Sequence, residues 1–579
     1  MKKLLALLLC LVMVLSMAAC GGKTENSTAA SAGSPQTAPE PVPETENDAP
    51  AAPVEQGSAA EAGSAEEPAG LDENAPLTAV LDGLEPTELP LTEDGPTYEI
   101  WMCAPGVVSQ ADDLANTNHA FAALQERTGV KITFLLGDFF TQMDEFNLMA
   151  ASGTFPAIMN GAATLYSSGP DAAIEEEILL NLLDYEEYMP NYSAIIRSRE
   201  GVFDDVATPE GNLVAFYSLY DYDKYGLGDK GYMIRNDWLE DLGLDMPTTY
   251  DELHDVLTLF KDEKGATDAF ALPVGGMNDF VMGGFGVGQT FYVEDGTIKF
   301  GPMETGFREY LELMNQWYTE GIIYHDYYSY EDELMYKDTE KIGSGQVALY
   351  YNETGTMSTY KEFSPDPNFE VKAIAPVSKE KGGTVYMTEF TPTYVDNPRW
   401  SITTNCENPE LAIQLADYLY SEEGILLCNY GVEGKTFAYN ADGEPQLTDL
   451  IMNNPDGYAY RDALALFTID GAGTVYDPLR GASGYTELQL SSWDDWTNAN
   501  LDYSRALPSK DMLNIDEKSQ YATLYSDIQT FLETSITKYI IGDLSFDNYD
   551  TEFVGQLERM NIAQCIDLYQ QAYDRYMSR

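Results

Sequence analysis

The chain has 579 residues, 44% of them hydrophobic, and sets 96 Asp and Glu against 31 Lys and Arg for a formal net charge of −65. The hydrophobic share is that of a globular protein, and residues 97–579 form a body long enough for two domains. So acidic a chain excludes nucleic acid as a partner, because phosphate binding needs a basic face, and the same charge weighs against polyanionic ligands.

The first element is an export signal. Met1-Lys2-Lys3 precedes an apolar run over 4–17, followed by Ala18, Ala19 and Cys20. A cationic start, a short apolar stretch and small residues read as a secretory signal over 1–19, too short for a transmembrane helix. Met17-Ala18-Ala19-Cys20 resembles the bacterial lipobox, whose cysteine is acylated and becomes the new N-terminus. Each buried CH₂ of such chains contributes about 0.8 kcal/mol, so several chains on Cys20 anchor firmly. Residues 20–96 are rich in Ala, Pro, Glu, Ser and Thr, with no aromatic residue and Lys23 as the single cation. That composition cannot offset its ordering entropy and predicts a disordered tether with a span on the order of 50 Å.

In the body, the alternation over 98–101 and 130–134 predicts strands, 142–152 a helix and 155–160 a further strand, an α/β order. Over 235–263, Asn236 is placed to cap a helix carrying Trp238, Leu239 and Leu242 that stops at Gly243. Thr249 and Glu252 have capping-box spacing, and Leu253, Val256, Leu257 and Phe260 make one apolar face. Trp238 therefore reads as core. Over 399–439, Asn408 and Pro409 open a helix with Leu411, Leu415 and Leu419 on one face, broken at Gly424, and Gly431 and Gly434 mark a turn. A last helix is expected over 562–577. Cys103, Cys406, Cys428 and Cys565 are widely spaced, and His119, His254 and His325 do not pair at metal spacing, so no metal and no cofactor are expected.

These segments resemble the extracellular solute-binding proteins of bacterial ABC importers, sugar-type and family 1 like, of the large lipoprotein kind found in Firmicutes. The resemblance rests on Arg235-Asn236-Asp237-Trp238-Leu239 through Tyr250-Asp251-Glu252-Leu253, on Asn408-Pro409-Glu410 to Ser421-Glu422-Glu423-Gly424, on Tyr430-Gly431-Val432-Glu433-Gly434, and on Ala572-Tyr573-Asp574-Arg575-Tyr576. It implies an α/β, two-lobe fold like the type II periplasmic binding proteins, with a hinge. Lobe 1 is expected over about 97–217 and 371–430 and lobe 2 over about 218–370 and 431–579, with crossings near 217–220, 370 and 429–434. The implied function is that of a membrane-anchored binder on the outer face of the cell. It captures a carbohydrate, best a neutral oligosaccharide, between the lobes and delivers it to an ABC permease, as a monomer and without catalysis. Some relatives carry an EF-hand-like calcium loop after the helix that matches residues 253–260. Here Lys261-Asp262-Glu263-Lys264-Gly265-Ala266-Thr267-Asp268 is shortened and lacks the alternating oxygen ligands.

Sugar recognition needs flat aromatic faces for C–H surfaces and planar polar groups for hydroxyls. With 40 tyrosines in the chain, the informative aromatics are those beside polar groups at predicted strand ends and loops. These are Asn160 at a strand end, Tyr217 at a lobe crossing, Tyr351 and Asn352 at a polar turn, Trp400 in Arg399-Trp400, and Trp493 and Trp496 in "SSWDDWTNAN". Two other functions fit the same composition. One is a glycoside-acting enzyme, which needs only two carboxylates roughly 5–10 Å apart. The other is a surface lipoprotein with a sensory or interaction role.

Overall fold

The strand Thr97–Ala104 sets the frame: Ile100 and Met102 point into one core and Trp101 into another, as a two-residue period requires. It belongs to a computed structural model that describes residues 75–578 except 105, 200, 221–229, 330–338, 389–393, 478–479, 481–482, 498, 500 and 510–511. The signal, Cys20 and most of the expected tether lie outside the described residues. The described residues belong to one compact unit.

Six strands form the first sheet, in the order Val475–Tyr476, Phe216–Tyr220, Val395–Ile402, Ile158–Asn160, Thr97–Ala104, Lys131–Asp138. Thr97–Ala104 runs parallel to both its neighbours, and Val475–Tyr476 parallel to Phe216–Tyr220. Val395–Ile402 alone is antiparallel to the strands beside it. The helix His119–Thr128 begins where the Asn118 side chain accepts the N–H groups of Ala120 and Phe121, and it stops at Gly129 with φ 74°. The expected tether ends earlier than 96. Leu77 and Leu81 are buried in the first core, and Leu91 N–H donates to Thr128 O, because the apolar positions in "LTAVLDGL" find a surface to cover.

The main core of the second lobe surrounds the antiparallel sheet Leu349–Glu353, Lys230–Arg235, Val371–Ala373. Helices Tyr250–Lys264, Thr305–Thr319 and Ile515–Ile541 pack on it. Leu253, Val256, Leu257 and Phe260 are all buried, as their spacing predicts, and Trp238 is core against Phe260. The local details differ in three places. Asn236 is the first residue of the helix Asn236–Leu242 and bonds Glu370 instead of capping. Glu252 accepts from the N–H and hydroxyl of Thr248, so Thr249 caps the helix without the reciprocal bond, and a full box forms instead between Asn514 and Glu517. Gly424 breaks nothing. It lies in the first turn of Glu422–Tyr430, where a Cβ would stand 1.8 Å from Tyr418 O, so glycine permits the close turn between two helices.

The lobe boundaries also move. Val371–Ala373 pairs with Met233–Arg235, so this segment belongs to the second lobe and the chain returns only between 388 and 394. Val475–Tyr476 pairs with Leu219–Tyr220, and Asn429 donates to Val475 O, which keeps 431–476 in the first lobe. The last crossing falls between Tyr476 and the helix Glu487–Thr497, whose Ser492 accepts from Ala373 N–H. The first crossing follows Tyr220. Among the described residues no helix is long and apolar enough to cross a membrane.

Candidate ligand-binding site at the strand ends

Five of the six strands of the first sheet point the same way, and the crossings leave or enter at their carboxyl ends. In open α/β sheets that rim is where ligands sit. Asn160 ends the third of these strands in chain order, and its Oδ1 is buried with no hydrogen-bond partner. Its Nδ2 lies against Gly471, where a Cβ would stand 3.3 Å away and φ is +86°, so this approach requires glycine.

Beside Gly471, Asp470 Oδ1 is 3.6 Å from Arg480 Nη2. Arg480 is 7% exposed and its Nε has no hydrogen-bond partner. Its guanidinium sits 5.3 Å from the Tyr476 ring, which stacks on Tyr220 at 5.5 Å and 28°. A second guanidinium completes the rim: Arg399 Nε donates to Ser218 Oγ at 2.7 Å and Nη2 to Asp396 at 3.3 Å, while Arg399 O accepts from Gly161 N–H. Burial opposes the charge of both arginines. The groups around Arg399 (Tyr476, Asp396, Tyr220 and Asp470) and around Arg480 (Asp470, Tyr476, Tyr460 and Tyr220) outweigh it and hold both pKa values above the usual arginine value. The rim thus presents two stacked tyrosines, two paired guanidiniums, one open acceptor and one open donor.

The other expected site residues divide between the two lobes. Trp400 pairs with Asn160 in the sheet but is 1% exposed in the first core, so it supports the rim from beneath and offers no ligand face. Tyr217 is half-buried against both cores of the first lobe, its N–H donating to the Tyr192 hydroxyl and its carbonyl accepting from Tyr420. On the second lobe, Tyr351 is half-buried edge-on to Tyr232 and Phe280 at 5.4 and 5.5 Å. Asn352 is fully buried and donates to the Tyr360 hydroxyl at 2.6 Å. Trp493 and Trp496 stand one turn apart on Glu487–Thr497, a helix where a polar loop was expected, and face inward. Trp496 donates to the carbonyls of Tyr232 and Ile374 at 3.2 Å each and lies so close over Gly231 that a Cβ there would be 2.3 Å from the ring. Asn352, Trp400 and Trp496 are therefore packing residues, while Trp493 is buried beside Tyr485, ring centroids 6.3 Å apart. Tyr220, Asp470, Tyr476 and Arg480 were missed; "TVYDPLR" has the residue types, but its strand is only two residues long.

The stretch after Tyr250–Lys264 does not fit a calcium ion. The helix ends at Gly265, Lys261 donates to Glu320 O and Lys264 pairs with Asp241, so ammonium groups occupy this end. Among the described residues no group of three His, Cys, Asp or Glu could hold a metal.

The sequence profile described as "Bacterial extracellular solute-binding protein" matches residues 119–427, more than half of the chain. "Lipoprotein LipO" of Bacillus subtilis (strain 168) is 23% identical over 417 residues, 68% of this chain and 78% of that one. "Fructooligosaccharide ABC transporter substrate-binding protein FusA" of Streptococcus pneumoniae serotype 4 is 22% identical over 499 residues, 79% of this chain and 86% of that one. The crystal structure of alginate-binding protein AlgQ2 without calcium ion superposes with a TM-score of 0.65 at 23% identity, over 84% of this chain and all of that one, which shows the two-lobe α/β fold. With its fold shared and more than half of its length matched, the chain belongs to the bacterial extracellular solute-binding proteins.

Proposed function

We propose that the protein captures an oligosaccharide at the strand-end rim and delivers it to the permease of an ABC transporter. One observation carries the reading. Asn160 leaves a buried acceptor open and Arg480 a buried donor, both beside the Asp470–Gly471 turn. A buried polar atom without a partner costs about 1–3 kcal/mol. A hydroxyl both donates and accepts, so a polyhydroxylated solute can meet both atoms, while the half-buried Tyr220 ring, backed by the buried Tyr476, offers an apolar face to its C–H surfaces. Each rim guanidinium already faces a carboxylate. The rim therefore has no excess cation for a polyanion, and a neutral sugar suits it better. FusA is an ABC transporter substrate-binding protein and AlgQ2 an alginate-binding protein, which supports a binder over a glycoside-acting enzyme. We further propose that the chain acts as a monomer held to the outer face of the membrane by acylated Cys20, with LipO's description as a lipoprotein in support, and that the lobes close on the ligand.

The test is a thermal-shift screen of the purified protein against neutral and uronate-containing oligosaccharides, followed by chromatography of the hits. Ligand that binds only the folded state stabilises it by RT ln(1 + [L]/Kd). Stabilisation by a neutral oligosaccharide without product release is expected. Cleavage products would move the reading to an enzyme, and a screen in which no glycan stabilises the protein would remove the sugar assignment.

A further inference from the structure

Arg461 lies on the helix Tyr460–Phe467, which belongs to the first lobe: Ala465 and Leu466 pack on its core, and Asn118 donates to Thr468 O at 2.8 Å. Its Nη1 crosses to the second lobe and meets Glu353 Oε2 at 2.7 Å. Glu353 ends the strand Leu349–Glu353, is 9% exposed, and holds Lys230 at 3.1 Å on its other oxygen. Gly355 lies beside the pair, where a Cβ would stand at an ordinary contact distance of 3.5 Å from both Arg461 Nη2 and the Tyr485 hydroxyl. A second seam uses the C-terminal "AYDRY" segment. The Tyr576 hydroxyl, on the second lobe, donates to Asp205 Oδ1 on the first at 3.2 Å. Two residue positions away in the same segment, Asp574 is occupied within the helix by Gln570, while Arg575 is fixed by two 2.7 Å contacts to Glu517.

We infer that the Glu353–Arg461 pair, with the Tyr576–Asp205 contact, is a latch between the lobes that sets how much of the ligand-free protein is closed. The inference rests on the capture reading and adds its regulation. Opening the lobes breaks the Glu353–Arg461 contact and keeps the Glu353–Lys230 pair, which lies within the second lobe; the Arg461 side chain is 62% exposed. Such a half-exposed pair is weak. It is strong enough to shift a two-state equilibrium severalfold and too weak to trap it, and added salt screens it. A ligand then finds a closed state already populated, and the affinity rises with that fraction.

Ligand-free X-ray scattering of the purified full-length protein tests this. R461Q, and more so R461Q/Y576F, should have a larger radius of gyration than wild type, with an unchanged melting temperature because Arg461 and Tyr576 lie outside both cores. The sugar found in the screen should bind R461Q about fivefold more weakly, the scale of losing a half-exposed pair. Raising salt on the wild type should open it without any substitution, and should leave the double variant unmoved. Equal radii for wild type and double variant, or a wild-type radius indifferent to salt, overturn the latch. Those arms need no ligand, so they fail independently of the sugar assignment.

Discussion

Asn160→Ala and Arg480→Met separate a binding rim from a structural one. In the ligand-free protein the Asn160 Oδ1 and the Arg480 Nε are buried and unpartnered. Neither atom therefore stabilises the fold through a hydrogen bond, and each should gain one when a sugar arrives. A neutral hydrogen bond nets about 0.5–1.5 kcal/mol and one to a charged group about 1.5–3 kcal/mol. Asn160→Ala should then weaken binding by roughly two- to twelvefold and Arg480→Met by roughly ten- to a hundredfold. Stability should respond in the other sense. Removing an orphaned acceptor relieves a cost, so the melting temperature of Asn160→Ala should hold or rise. Arg480→Met keeps the apolar stem under Tyr476 and leaves Asp470, whose side chain is 53% exposed, to water. Thr468 keeps its own bond to Leu464 O at 2.7 Å. Titration calorimetry with the best neutral oligosaccharide gives the affinities, and ligand-free calorimetry gives the melting temperatures. Wild-type affinity in both variants, with both folded, would refute the rim as the site.

Trp496→Ala should cost stability, about 3–5 kcal/mol for a truncated core tryptophan, with more for the indole donor lost to the Ile374 carbonyl, since the Tyr232 carbonyl keeps the Ile374 N–H; chemical denaturation measures it, and a variant as stable as wild type contradicts the packing assignment. Burial pushes the Asp417 carboxyl up to about 7, against the lowering effect of the N–H donors of Tyr192 and Asn191. The folded-state value lies above the unfolded 3.8, so this group's stabilisation is complete below the unfolded value and is lost as pH rises through about 7, an effect of up to about 4 kcal/mol. Melting curves from pH 5 to 8 should fall for wild type relative to Asp417→Asn, and parallel curves would show that Asp417 is ionised throughout. Cys20→Ser should leave the protein unprocessed or release it from the membrane fraction; processed Cys20→Ser protein that still sediments with membranes would contradict the anchor.

The helices were legible where one chain segment carries its whole instruction. Leu253, Val256, Leu257 and Phe260 need only the helical period and a surface to cover, and all four are buried. The stop at Gly243 and the cap at Asn408 are equally local, since both are settled within four residues. The lobe boundaries were not local. Nothing between 360 and 440 says that Val371 pairs with Arg235 or that Val475 pairs with Leu219, and those two pairings move both later crossings.

The rim shows why polar flanks mislead in a chain this acidic. Ser, Asp and Thr around Trp493 and Trp496 suggested a solvated loop, yet a helix needs polar residues on its outer face, and tryptophans three apart mark its inner one. The same composition hid the useful residues. Asp470 and Arg480 are separated by ten positions and joined to Asn160 only through a glycine whose φ of +86° lets the turn approach. Their signal is what remains open after folding: an acceptor and a donor that the protein buries and does not satisfy. Thr258 and Trp317 also bury an unmet atom, so the signal is the meeting of two such atoms beside one turn. It is a property of the assembled strand ends rather than of any segment, so it could be read only after Asn160, Gly471 and Arg480 had been brought to one edge of the sheet.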